Sequence, residues 1–228
     1  LCVIGRETVW RGMSERVALW VNLALSALPS RALAAPGCRS LPPVHVDESR
    51  VIREVAGLRP YRPSGFVVRA ERFADKALVH NYGHGGGGIT MSWGTSWLAT
   101  GLGLPGHRGD VAVIGGGVMG LTTARLVQEA GFPVTIYTEK LPPDTTSNIA
   151  GGQWHPAFTF DKDRITADFA AQFRAAARFS FNRFAMLAGD DYGVRWMMNH
   201  SLAHAPITTD PVDVIICPEG LLPEYRPL

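Results

Sequence analysis

Residues 111–137, VAVIGGGVMGLTTARLVQEAGFPVTIY, decide the fold class. The apolar run at 111–114 is of the kind that forms a buried parallel strand. It ends in Gly115-Gly116-Gly117-Val118-Met119-Gly120, which satisfies the spacing G-x-G-x-x-G. Leu121, Ala124 and Val127 follow on one helical face, and Gly131 stands where a left-handed residue closes a helix. Residues 134–137 read as a second strand, and Glu139 lies about 20 residues past the glycines. Each part has a mechanical reason. Gly115 permits the tight turn, Gly117 lets the backbone approach a pyrophosphate, and Gly120 lets helix and strand pack closely. The N–H groups and dipole of the helix start attract phosphate, and Glu139 accepts from ribose hydroxyls. A bare G-x-G-x-x-G is weak evidence, whereas strand, glycines, helix, strand and acid in order specify a dinucleotide site. The expected class is α/β, with a Rossmann-like unit.

The remaining composition narrows the field. A chain of 228 residues that is 46% hydrophobic and 18% charged reads as globular, with enough length to bury a core. A net charge of +2 without a Lys/Arg cluster carries no nucleic-acid signature. Cys2, Cys38 and Cys217 are odd in number and far apart, so they offer neither a metal-ligand spacing nor a disulfide framework.

Read from its start, the chain holds an apolar segment at 17–28 preceded by Arg16 and followed by Ala32, Ala34 and Ala35. That is the shape of a secretory signal, cleaved near Ala34 or Ala35; the alternative is an amphipathic or irregular leader. The compartment is accordingly either cytoplasmic or reached by export. The run is too short for a stable membrane span. Residues 36–48 read as a linker. Pro60 and Pro63 bar a helix and make their segment extended. Short strands are expected at 66–69 and 77–80. The second runs into Gly85, Gly86, Gly87 and Gly88, which permit positive φ and a very close backbone approach. A helix is expected at 92–102 with Gly103 as its stop, and 105–110 form a hinge-like link. The polar loop at 139–156 has the donors to line a phosphate or ring system. Phe169, Phe173, Ala176, Ala177, Phe184 and Leu187 predict a core-facing helix over 166–188, stopped by Gly189. Residues 212–216 read as one more strand.

With both glycine segments in view, the chain resembles the D-amino-acid oxidase family of flavoproteins. His80-Asn81-Tyr82-Gly83-His84-Gly85-Gly86, followed by Gly88-Ile89-Thr90 and Trp93-Gly94, is similar to that family's HNYGHGG signature. Arg59, in Gly57-Leu58-Arg59-Pro60-Tyr61-Arg62-Pro63, matches the family arginine that binds the substrate carboxylate. Gly115, Gly117, Val118, Met119 and Gly120 match its fingerprint, and Glu139-Lys140 stand where it has an acid–Arg pair at the adenosine ribose. Thr145-Thr146-Ser147 and Ala150-Gly151-Gly152-Gln153-Trp154 match its flavin-lining loop.

The resemblance implies FAD as cofactor and no metal. It implies a D-amino acid and molecular oxygen as small-molecule partners, and it admits a homodimer. Arg59 is then the catalytic-site residue. Gly85, Gly86, Gly87, Gly88, Ile89 and Thr90 join the fingerprint, Glu139, Lys140, Thr145, Thr146, Ser147, Gly152 and Gln153 as cofactor-binding residues. His80 and His84 read as structural. The order departs from the family, because here the HNYGHGG segment precedes the fingerprint. A circular permutation explains this, as does a bridge between two gene copies. The family's substrate domain is mostly missing after Trp196. The implied organisation is a leader at 1–38, a permuted FAD-binding domain at 39–150, and a partial helical substrate domain at 151–228. The implied fold class is α/β, a Rossmann-like FAD-binding domain with an incomplete α+β substrate domain.

Three rivals remain. His84 to Gly88 is similar to the oxyanion loop of esterases, but no G-x-S-x-G elbow occurs, which rejects the hydrolase. A nicotinamide or amino-acid dehydrogenase shares the fingerprint. A fragment that holds FAD without turnover is the non-enzymatic alternative.

Overall fold

The computed structural model describes residues 45–197. The leader at 1–38, His200, Cys217 and the strand expected at 212–216 lie outside the described residues. Residues 66–69 and 77–80 belong to a longer hairpin: β1 (Val67–Phe73) pairs antiparallel with β2 (Lys76–Tyr82), Val67 opposite Tyr82 and Phe73 opposite Lys76. A two-residue turn, Ala74-Asp75, joins them. Only the base of the hairpin is packed, with Val68 buried and Phe73 exposed.

The glycine run is mostly not loop. Gly85–Gly87 form one 3-10 turn and α1 (Gly88–Gly103) follows directly, four residues earlier than its apolar pattern predicts. Of the four glycines only Gly85 has a positive φ, +55°. Gly103 lies inside the helix rather than stopping it. The cause of the late expectation is that α1 is covered on several sides by small residues instead of showing one apolar stripe. Thr90, Met91, Ser92, Gly94, Thr95, Ser96 and Ala99 are all buried.

The next segment forms a β-α-β unit at the expected bounds. β3 (Val111–Ile114) leads into α2 (Val118–Glu129), and β4 (Val134–Tyr137) pairs parallel with β3, Val111 opposite Val134. Gly131, φ +86°, closes α2: its N–H donates to the Gln128 carbonyl and that of Phe132 to Val127, the double bond of a Schellman cap. Two details correct the sequence reading. β3 is parallel but not buried, since Val113 alone is inside while Ile114 is 85% exposed. Among the described residues this sheet has two strands, so nothing covers the outer side chains. Leu121 likewise stays 43% exposed, although Ala124 and Val127 are buried as expected.

The last helix, α3 (Ala167–Met186), starts at Thr166, whose side chain accepts the Phe169 N–H. Its stripe is half realised: Phe173, Ala176 and Ala177 are fully buried, and Phe169 packs beside them. Phe184 and Leu187 are only part-buried. Phe66, Val68, Met91 and Ala99 complete the core. Phe160 meets Phe173 at 5.0 Å and 90°, a favoured edge-to-face geometry, while Phe66 lies nearly parallel to Phe173 at 6.3 Å. The fold is thus mixed α/β with two small sheets. No helix among the described residues is long and apolar enough to cross a membrane.

Candidate functional site

The expected cofactor residues fall into two clusters, both anchored on α1. The first surrounds the start of α2. Gly115 has φ +110°, and its N–H donates to the Tyr137 carbonyl at 2.8 Å, which ties the end of β3 to β4. A Cβ at Gly120 would stand 1.8 Å from the Gly115 carbonyl oxygen, so only glycine allows helix and turn to pack here. Gly117 is the N-cap and makes no side-chain cap. The first-turn N–H groups have no intrahelical carbonyl behind them, leaving a site that favours an anion. Ser147 reaches in from the turn at Thr146–Ile149, its hydroxyl accepting the Val118 N–H at 2.9 Å. Thr145 donates to Asn148 Oδ1 at 2.8 Å within the same turn, beside Thr146. Glu139 and Lys140 follow β4 and are exposed, with the Lys140 carbonyl accepting from Thr138 at 2.8 Å.

The second cluster brings Arg59 to the glycine run. The Gly85 N–H donates to the Pro60 carbonyl at 3.1 Å and the Gly86 N–H to the Phe158 carbonyl at 2.8 Å. A Cβ at Gly86 would lie 2.9 Å from Arg59 Nη1. Tyr61 donates its hydroxyl to Asp161, fixing the Pro60–Pro63 arm to the loop beyond Phe158. That contact raises the Tyr61 pKa above its ordinary value. Because Gly85, Gly86 and Gly87 all donate to protein carbonyls, none of these three N–H groups is left for a ligand. Among the described residues no carboxylate pairs with Arg59, whose guanidinium carbon lies 5.9 Å from the Phe158 ring centre.

Thr90 ties the loop that carries Gln153 and His155 to α1. Its hydroxyl lies 3.3 Å from the Gln153 carbonyl and 3.2 Å from that of His155, and it accepts the His155 N–H at 3.1 Å. Gly152 beside it has φ +74° and is exposed. The two clusters are connected through the next turn of α1. Thr95 reaches Met119 Sδ at 3.6 Å, and the Ser96 hydroxyl bonds those of Thr122 and Thr123 at 2.9 and 2.8 Å.

The histidines differ in environment. His84 is 2% exposed, stacked on Phe66 and paired with the Thr95 hydroxyl at 2.9 Å. Burial lowers its pKa to about 4, so it is neutral near pH 7. His80 sits on β2 opposite Arg69 and reaches diagonally to Glu71, 3.0 Å away, where its hydrogen bond holds that carboxyl below its ordinary pKa. Among the described residues no group of acids, cysteines and histidines forms a metal site.

Sequence reasoning missed Ser96, Thr122 and Phe158. The first two had a signal, hydroxyls at helical spacing amid apolar residues. Phe158 had none, because its left-handed backbone, φ +56°, has no cue in a phenylalanine.

Comparison with known proteins gives a consistent pattern. A family model described as FAD dependent oxidoreductase matches residues 20–102 and 110–211. Human D-aspartate oxidase is 38% identical over 102 residues, 43% of this chain and 29% of that protein. The D-amino-acid oxidase of Rubrobacter xylanophilus is 43% identical over 65 residues, 28% of this chain and 20% of its own length. That of Streptomyces coelicolor is 50% identical over 48 residues, 21% of this chain and 15% of its own. The chain thus spans less than a third of each of these relatives. No solved structure matches.

Proposed function

Because this chain belongs to the FAD-dependent oxidoreductase family, we propose that it oxidises D-amino acids to imino acids, which hydrolyse to 2-oxo acids and ammonia. The observation that carries this reading is Arg59 beside Gly86, with no acid of its own among the described residues. A guanidinium so placed suits a substrate carboxylate, which it meets with two parallel N–H···O bonds. Fixing the carboxylate fixes the direction of the Cα–H bond.

The residues present fit FAD. The helix start at Gly117, Val118, Met119 and Gly120, where Ser147 takes the Val118 N–H, suits the pyrophosphate, and Glu139 with Lys140 suits the ribose at the end of β4 in a Rossmann-like arrangement. Thr145, Thr146, Ser147, Gly152 and Gln153 suit the flavin side, with Gly88, Ile89 and Thr90 at the α1 start and Gly85, Gly86 and Gly87 packed behind them. Bound FAD supplies the acceptor for the hydride leaving Cα, with oxygen as terminal acceptor. The chain's own part is binding and orientation. His84 is buried and neutral, which suits a structural role, and a neutral substrate amine needs no protein base. The domain division at 39–150 and 151–228 goes with this reading. So does the reversed order of the two glycine segments, whether by circular permutation or as a bridge between two gene copies.

The test is a visible spectrum of the purified, FAD-reconstituted chain before and after anaerobic D-alanine. Bleaching of the flavin bands is the expected result, and Arg59→Ala should lower kcat/KM about a hundredfold or more, the worth of two charge-assisted bonds. Turnover unchanged in that variant would sink the assignment of Arg59. Retained flavin with no bleaching by a panel of D-amino acids favours the second reading, a FAD-holding chain without turnover. Bleaching without oxygen consumption favours an amino-acid dehydrogenase.

A further inference from the structure

We infer that Phe158 is a positioning residue for Arg59, holding the guanidinium in place for the substrate carboxylate. The inference rests on the assignment of Arg59 to that carboxylate and adds a second residue to the same site. Phe158 combines two features that are costly in a folded chain. The residue is 74% exposed, and its backbone lies in the left-handed region, φ +56°, where a bulky side chain is an outlier. Strain of this kind persists only when surrounding contacts over-determine it. Two such contacts are present. The Phe158 carbonyl accepts the Gly86 N–H at 2.8 Å, and its ring lies under the Arg59 guanidinium at 5.9 Å.

The geometry couples three segments at one point. A Cβ on Gly86 would lie 2.9 Å from Arg59 Nη1 and 3.0 Å from the Phe158 Cβ, so arginine, glycine and phenylalanine meet with no room to spare. On the other side Gly85 is confined by the Phe158 carbonyl oxygen and the Tyr61 ring, at 2.4 and 2.9 Å from where its Cβ would be. A guanidinium held through its face by an aromatic ring keeps its in-plane N–H donors for a carboxylate. The ring also limits the rotamers of a long, exposed side chain, so less freedom is lost when the ligand arrives.

The experiment measures propionate binding to the FAD-reconstituted chain by calorimetry. Propionate carries the carboxylate but no amine to be oxidised, so the readout is independent of turnover. The variants are Phe158→Tyr, Phe158→Leu, Phe158→Gly and Arg59→Ala. Tyr keeps the ring and should bind as the unaltered chain does. Leu and Gly should each weaken propionate about two- to fivefold, the range of an exposed cation–π contact. Glycine accepts the left-handed backbone, so Phe158→Gly should keep its melting temperature and FAD content while losing affinity. Propionate affinity unchanged in Phe158→Leu and Phe158→Gly, with Arg59→Ala abolishing binding, overturns the inference alone. Loss of FAD in step with loss of propionate also overturns it, since the role would then be structural. No propionate binding by the unaltered chain, or full binding by Arg59→Ala, overturns the Arg59 assignment and this inference with it.

Discussion

His84 is the residue whose chemistry the fold changes most. Inside the core its ring has Phe66 on one side and the Thr95 hydroxyl at its edge, and burial lowers its pKa from 6.5 to about 4. Between those values the unfolded chain binds a proton that the folded chain refuses. Stability is therefore full above pH 6.5 and declines as pH falls toward 4, by on the order of 3 kcal/mol. His84→Gln removes the titration. That variant should be less stable than the unaltered chain at pH 7, and the gap should narrow steadily between pH 6.5 and 4. Urea titrations across that range check this, and a constant gap would mean that His84 protonates in place. At this scale the sequence was only partly readable. A histidine among glycines points to a structural role, but nothing in the string predicts that Phe158 adopts a left-handed backbone or that its carbonyl anchors Gly86.

Among the elements, α1 is the hub. Gly94 faces α3 so closely that a Cβ there would stand 1.8 Å from the Ala176 carbonyl oxygen, a backbone atom that cannot swing aside. Gly94→Ala should lower the unfolding free energy by about 3 kcal/mol or more by forcing the two helices apart. Urea denaturation reads this directly, and a loss under about 0.5 kcal/mol, typical of an unconstrained surface site, would contradict the packing. The β-α-β unit was legible because its cues are local: a four-residue apolar run, glycines at fixed offsets, and a closing Gly131. The start of α1 was not, because four glycines read as loop. Here Gly85, Gly86 and Gly87 are fixed as glycine by what presses on them, including the Thr159 methyl at 2.4 Å from a Cβ on Gly87. The burial of β3 was misjudged for a related reason. An apolar run reports what a strand tolerates, while burial needs covering elements, and Ile114 and Tyr137 have none among the described residues.

For the whole molecule, the family assignment makes FAD part of the stability as well as the chemistry. The helix start of α2 meets the turn carrying Ser147, the point proposed for the cofactor's pyrophosphate. Ligand that binds the folded chain alone at about a hundred times its Kd adds about 2.7 kcal/mol. A chain of this size should then melt roughly 5–10 °C higher. Thermal melts at increasing FAD check this, and a melting temperature indifferent to FAD would contradict the site. The family to which the two glycine segments point was legible at this scale, whereas their common packing against α1 was not, since tertiary neighbours leave no spacing in a string. Their order in the chain has a kinetic consequence. Only residues 104–110 separate the end of α1 from β3, so little loop-closure entropy opposes the docking of α1 on α2. The prediction is that the pair forms early in folding and, tied by the hydroxyls of Ser96, Thr122 and Thr123, opens as one unit. Its amides should exchange with solvent deuterium in concert, well after those at the tip of the hairpin have done so.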